Sequence, residues 1–560
     1  MNYSRKIFRE FNDAKLEQIR NHPYYKEVRE RIIALADDYL VNDPPRIRFS
    51  KIHLYATTGN RNQYEKDYFH YLNRLSYLFQ AYIITEDEKY LPELSDTIWN
   101  ICNFESWALP AHVRETQPID KRRSFIALFS ARMGMTLSEV LYFIGDKLPE
   151  LVVRRAKAEL QYRIIDSFAE RDHGFCNVKH NWSAVCVAAV LCTYLYIATD
   201  EEIEAQLPRM MKVADNYMDG YEDDCCCTEG ISYWKFGFSN LLVFASMLKD
   251  YTDGKINYFD KPKLKKIAMF PYRVTLDEAG NCLTFADSST AIAKMPGWMG
   301  HKLKDNYPDF PIMDNTPLTE PSALIRTLFW TNPNYVGEEI KIADATFENV
   351  QQFTYHGNSY AVGAKAGHNK EFHNHNDVGS FIVSKNNEVT FFDLGAGAYT
   401  KQYFAPDTRY LDPVCSSRGH SVPIINGEEQ AFGNDRGTCE LYAIGNGRFT
   451  FDMKSAYAVD TLLSLVRDFD CNEEYFTITD TYKFSEEPTA LTERFVSIKP
   501  ITLEGGTVKT GDTTVVFNSD ELDATILSVP VNSKRTDTLY IVDFTPKKLC
   551  KEMSFKFKFM

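Results

Sequence analysis

The hydrophobic period of this chain changes once, and that change limits the fold more than any other feature. Up to about residue 340, "YEKDYFHYLNRLSYLFQAYIIT", "SFIALFSARMGMTLSEVLYFIG" and "NWSAVCVAAVLCTYLYIA" repeat apolar residues at helical spacing. Short polar or proline-containing breaks separate these runs, which predicts antiparallel helix pairs packed on one another. After about residue 346 the period is two. "SFIVSKNNEVTFFDLG" reads as strand, tight Asn386–Asn387 turn, strand. "RFTFDMKSAY", "YFTITDTYKF", "TVVFN" and "TLYIVDF" add alternating strands rich in β-branched and aromatic residues. The expectation is a multidomain α and β chain: helix pairs over residues 1–340, then an antiparallel β-sandwich over residues 341–560. The boundary is placed in "TNPNYVGEEIKIADATF", residues 331–347.

Bulk properties narrow the function classes. A chain of 560 residues exceeds one ordinary core, and 44% hydrophobic with 25% charged residues describes a folded globular protein. Its 33 Tyr and 38 Phe suit sugar-binding clefts and large cores alike. A net charge of -14 argues against a nucleic-acid partner, although a local arginine cluster can still receive an anionic substrate. The charged N-terminus lacks the apolar stretch of a secretory signal, and no run approaches the ~20 apolar residues of a membrane span. The twelve cysteines have no framework spacing, include "CCC" at Cys225–Cys227 and form no CxxC pair. These features together predict a reducing, cytoplasmic setting.

Three stretches carry candidate chemistry. In "EFHNHNDVGSF", His373, His375 and Asp377 alternate, so an extended chain would face them together as zinc ligands. Asp393 in "FFDLG" and His420 in "SSRGHSVP" are further donors. A two-residue Asn386–Asn387 hairpin sets Asp393 opposite about Ser380, so a shared metal requires a bend near Asp377–Gly379. A hydrogen-bonded polar turn reads equally well. In "DDCCCTEGISYWKFGF", Glu229 and Gly230 precede Tyr233, whose hydroxyl suits acid–base work; a helix start followed by core aromatics explains the same residues. In "NVKHNWSAV", His180 and Asn181 precede an apolar helix, with Asn181 either an N-cap or a donor to a carboxylate.

Together these pieces resemble the heparinase II/III-like polysaccharide lyases and the related alginate lyases. The resemblance runs from "TTGNRNQYEKDYFHYLNRLSYLFQAYIITEDEKYL" into the β-region, and its most specific parts are "EGISYW" and the "HNHNDVGSF…FFDLG…Y…GH" series. It implies an (α/α) toroid followed by antiparallel sheets, acting on a uronate-containing oligo- or polysaccharide. Tyr233 would be the catalytic acid, or both acid and base. Asn181, with His180, would neutralise the substrate carboxylate, and His373 would face the cleft. One structural zinc ion would sit on His375, Asp393 and His420. Tyr410, with Tyr403 as a second candidate, would line the cleft. The resemblance departs from its pattern at Trp182, where several relatives carry histidine, which leaves the base open between His180 and His373.

Such a set suits β-elimination. Neutralising a uronate carboxylate stabilises the enolate-like intermediate, a base takes the C5 proton and an acid protonates the departing O4. Arg409, Arg418 and Arg114 are candidate partners for carboxylate or sulfate, each equally explained by a salt bridge. Trp107 and His112 in "ESWALPAHVRE" are candidates for stacking on a sugar. Two other readings compete: a glycoside hydrolase using the carboxylates of Glu229 and Asp377, and a glycan-binding protein without catalysis.

Overall fold

The computed structural model describes residues 7–317, 321–433 and 437–560. The chain forms two compact units, one of Met1–Gly220, Lys235–Lys265 and Met295–Glu339, the other of Tyr221–Trp234, Lys266–Lys294 and Ile340–Met560.

The first unit is built from helix pairs. Asn62–Thr85 is followed by Tyr90–Cys102, Leu128–Ile144 by Glu150–Leu160, and Asn181–Ile197 by Asp200–Met218. A capping box starts the last of these, with Thr199 Oγ1 accepting from Glu202 N at 3.3 Å and Glu202 Oε2 accepting from Thr199 N at 2.7 Å. Asn181–Ile197 is apolar on every side and almost wholly buried, as a helix surrounded by others must be. No helix among the described residues is long and apolar enough to cross a membrane.

The second unit carries three sheets among the described residues, with every strand pair antiparallel. The first is a five-stranded meander from Ala345–Phe347 to Glu388–Phe391, and the others have eight and four strands. Lys385 pairs with Glu388 across Asn386 and Asn387, whose φ values of 51° and 64° are those of a type I′ hairpin. Phe381, Phe391, Phe495, Phe557 and Phe559 meet in one aromatic core, each worth about 1.5–3 kcal/mol of burial. Two segments that precede residue 340, 221–234 and 266–294, cluster with the sheets. The Trp234 indole donates to Ile267 O at 2.8 Å and ties one to the other. All twelve cysteines are free thiols; eleven are buried and Cys550 is partly exposed.

Arg467 crosses this core without exposure, paired with Asp480 and with Glu493. Burial and the Asp480 charge push the Glu493 pKa well above the carboxylate range, so the folded protein keeps this carboxyl protonated. Its stabilising contribution is therefore fully present below about pH 4.3 and is lost as pH rises toward the folded pKa. Glu493→Gln, which mimics the protonated form, is expected to match the parent near pH 4 and to exceed it at pH 8. The gap grows by at most about 1.4 kcal/mol per pH unit. Urea midpoints at the two pH values check this, and parallel shifts at both would contradict it.

Candidate active site

Tyr233 lies in the first turn of the helix Ile231–Tyr251. Gly230 enters that turn at φ +89°, and a Cβ there would lie 2.6 Å from Phe285 O, so the position needs glycine. Ser232 Oγ accepts from Ser289 N at 2.9 Å and from Thr290 N at 3.2 Å. These bonds fasten the helix start to the segment that carries Asp287.

No sequence motif marks Asp287, yet the site is organised around it. Its buried carboxylate receives His373 Nδ1 at 2.7 Å, His375 Nε2 at 2.9 Å, Arg409 Nη2 at 3.2 Å to each oxygen, and the Tyr403 hydroxyl. Burial alone would raise its pKa; hydrogen bonds from His373 and His375 and the Arg409 charge instead hold it well below the usual range. An ionised carboxylate only accepts, so both histidines donate to it, through opposite ring nitrogens.

His373 takes a left-handed backbone with φ 58°. Its ring stacks on Tyr233, with centroids 4.0 Å apart and planes inclined 25°, and its Nε2 lies 3.8 Å from Glu229 Oε1. The exposed Phe404 meets the His373 ring edge-on at 6.1 Å. The Tyr233 hydroxyl is 2.9 Å from that of Tyr399, a residue the sequence does not single out. Burial, and next the Asp287 charge, push both phenols above their ordinary pKa, so both stay protonated. The His373 side chain is 20% exposed and that of His375 is 0%, so only His373 can be reached from solvent.

The sharp bend required between the two histidines and the sheet is present. Ser380 N donates to Asp377 O at 2.9 Å across a turn in which Gly379 has φ +94°. Asp377 does more than shape this bend. Its Oδ1 accepts from buried Lys365 at 2.8 Å, while Asp377 Oδ2 and His375 Nδ1 are buried without a hydrogen-bond partner. Among the described residues two groups converge within 4.8 Å as possible metal ligands: His375, Asp377 and His420, and Asp287, His375 and Cys415. Asp393, expected beside His375, belongs to neither; its Oδ2 accepts from His420 Nδ1 at 2.9 Å. His375 Nδ1 and Asp377 Oδ2, the two orphaned buried atoms, fit a cation, whereas His420 has Nδ1 on Asp393 and Nε2 on Val414 O at 3.0 Å and would ligate only by giving up one of these bonds.

No protein-family model matches the chain, and no curated protein matches it. Solved structures do. A heparinase III structure aligns with TM-score 0.64 at 13% identity, covering 100% of this chain and 93% of its own. The heparan sulfate lyase from Pedobacter heparinus gives 0.60 at 12%, with 99% and 92% covered. The chain has the polysaccharide-lyase fold. Chondroitin AC lyase from Streptomyces coelicolor, in complex with chondroitin sulphate, aligns at 0.58 and 9% over 98% of this chain and 82% of its own. These lyases combine a helical toroid with antiparallel β-sheets, the order of elements found here.

Within this lyase fold the remaining sequence candidates separate. Glu229 is buried near His373, as described. Arg409 is buried and committed to Asp287 and to Asn374 O, so it is an internal counter-ion and not a substrate ligand. Tyr403 is likewise buried on Asp287. Tyr410 is half-buried and stacks on Phe432 at 4.8 Å. Arg418 pairs with Glu429 at 2.7 Å on the surface. In the helical unit, His180 and not Asn181 is the N-cap, its ring accepting from Trp182 N at 3.4 Å, and Asn181 is the buried first residue of the helix. His112 packs edge-on against Trp182 at 4.9 Å, and burial pushes its pKa down to about 3, which keeps it neutral. Trp107 is buried with its indole on Ile101 O, so it is no sugar platform; Arg114 is exposed.

Proposed function

We propose that this chain is a lyase that cleaves uronate-containing anionic glycans by β-elimination. The stack of Tyr233 on His373, with Asp287 behind the imidazole, carries the reading. With Nδ1–H donated to Asp287, the base of the proposed reaction is His373 Nε2, whose lone pair would take the C5 proton. The protonated Tyr233 phenol then supplies a proton to the departing O4, and a C4–C5 double bond remains. Rings 4.0 Å apart suit a base and an acid that reach one face of the sugar. Asn181 and His180 are proposed as donors to the uronate carboxylate, a role that rests on the resemblance. Similarity to heparan sulfate and chondroitin lyases supports an anionic polysaccharide as substrate. The hydrolase reading loses support because Asp377 is fully buried and paired with Lys365.

A zinc ion is part of the proposal. His375 Nδ1 and Asp377 Oδ2 would hold it together with His420, which would first release Val414 O and keep its bond to Asp393. When bound it would supply fixed positive charge and a cross-link between the loop of His375 and that of His420. His375→Ala is expected to abolish metal binding and to lower the melting temperature by several degrees. Metal analysis and thermal denaturation check this, and unchanged stoichiometry would remove His375 from the site. A reducing, cytoplasmic place of action is also proposed, supported by the free thiols.

Ultraviolet absorbance tests the reaction class. Incubated with heparan sulfate, chondroitin sulfate, hyaluronan and alginate, the chain is expected to raise the unsaturated-uronate band with at least one of them. New reducing ends without that band would indicate a hydrolase, and neither signal would indicate a binder.

A further inference from the structure

Resting on the lyase reading, we infer that Asp287 is the positioning residue of the site, one carboxylate that sets opposite tautomers in two histidines two residues apart. Its Oδ2 takes Nδ1–H of His373 and its Oδ1 takes Nε2–H of His375. Each bond settles where the other lone pair goes. For His373 the lone pair falls on Nε2, on the edge of the ring that stacks with Tyr233. For His375 it falls on Nδ1, a buried atom without a hydrogen-bond partner, in a residue that converges with Asp377 and His420.

The carboxylate is itself held by donors of unequal number. Tyr403, Arg409 and His375 reach Oδ1, whereas Arg409 and His373 reach Oδ2. An asparagine at this position keeps one acceptor oxygen and gains an NH₂ group. The oxygen belongs on the side with three donors, which turns the NH₂ toward His373. That ring can accept the new hydrogen bond only through a bare Nδ1, so its proton moves to Nε2 and its basic lone pair is lost to the cleft. His375 keeps its tautomer and its free Nδ1. Asp287→Asn therefore separates the two histidines.

The experiment uses the metal-replete full chain, with ¹⁵N-histidine spectra, metal analysis and steady-state kinetics. In Asp287→Asn, the imidazole that His373→Gln identifies is expected to change from the Nδ1–H to the Nε2–H tautomer, with bound metal unchanged. The kcat for unsaturated product is expected to fall roughly 10²-fold, with KM within about twofold. Asp287→Glu, which restores two acceptor oxygens, should return the Nδ1–H tautomer and part of kcat. An unmoved His373 tautomer in Asp287→Asn, or no recovery in Asp287→Glu, overturns the inference. Should Asp287→Asn fail to fold, the parent spectrum decides: His373 in the Nε2–H form overturns it and the Nδ1–H form supports it. A parent chain that makes no unsaturated product from any glycan defeats the lyase reading instead, and the spectra still judge Asp287 because they need no substrate.

Discussion

Replacing Tyr233 by Phe is expected to lower turnover by about 10⁴-fold while leaving the chain folded. The substitution keeps the ring, and with it the stack on His373 at 4.0 Å. It removes the phenolic proton and the 2.9 Å contact with the Tyr399 hydroxyl. Loss of that hydrogen bond costs about 0.5–1.5 kcal/mol, a shift of a few degrees at most in melting temperature. O4 would then leave without the Tyr233 proton, a loss placed at the upper end of what one acid contributes. Single-turnover absorbance and a thermal melt, made on the same preparation, check both halves. Residual activity above ~1% would take Tyr233 out of the reaction.

Arg467→Met is expected to cost about 3–5 kcal/mol in the sheet-bearing unit. Arg467 is fully buried and donates from Nε to Asp480 at 2.8 Å and from Nη1 to Gly379 O at 2.8 Å and to Ser421 O at 2.9 Å. Methionine fills much of the same volume but leaves Asp480 charged and enclosed without its counter-ion, which is the expensive outcome. The two carbonyls add a local effect. Gly379 closes the bend after Asp377, and Ser421 follows His420, so one guanidinium steadies both loops that bring His375 and His420 together. Urea denaturation checks the cost, and a drop below about 1 kcal/mol would show that water or another cation replaces the arginine.

The fold was legible because periodicity is local. Each of the five quoted β-segments contains a strand, and the Asn386–Asn387 turn closes in two residues as the pair requires. The bend near Gly379 was legible for the same reason. Asp287 was not, because it sits in "LTFADSST", away from any run of donors, and reaches His373 across 86 positions. A signal did exist: His373, His375 and Arg409 are three donors that, once buried, demand a carboxylate. Asp393 entered the zinc set only through the family resemblance; its side chain reaches His420, while Asp377, assigned to the bend, converges with His375 and His420. Trp107 and Arg409 misled because aromatic and cationic side chains look alike in sequence whether they line a cleft or fill a core.

The thiols described with the fold make this chain its own unfolding recorder. In the native state Cys550 alone offers a partly open address for an alkylating dye. Cys186 and Cys192, inside the helix Asn181–Ile197, stay silent until the helical unit opens, because burial suppresses their thiolates. Cys439 and Cys471 do the same for the sheets. The order in which a mass spectrum gains these labels would report which unit lets go first.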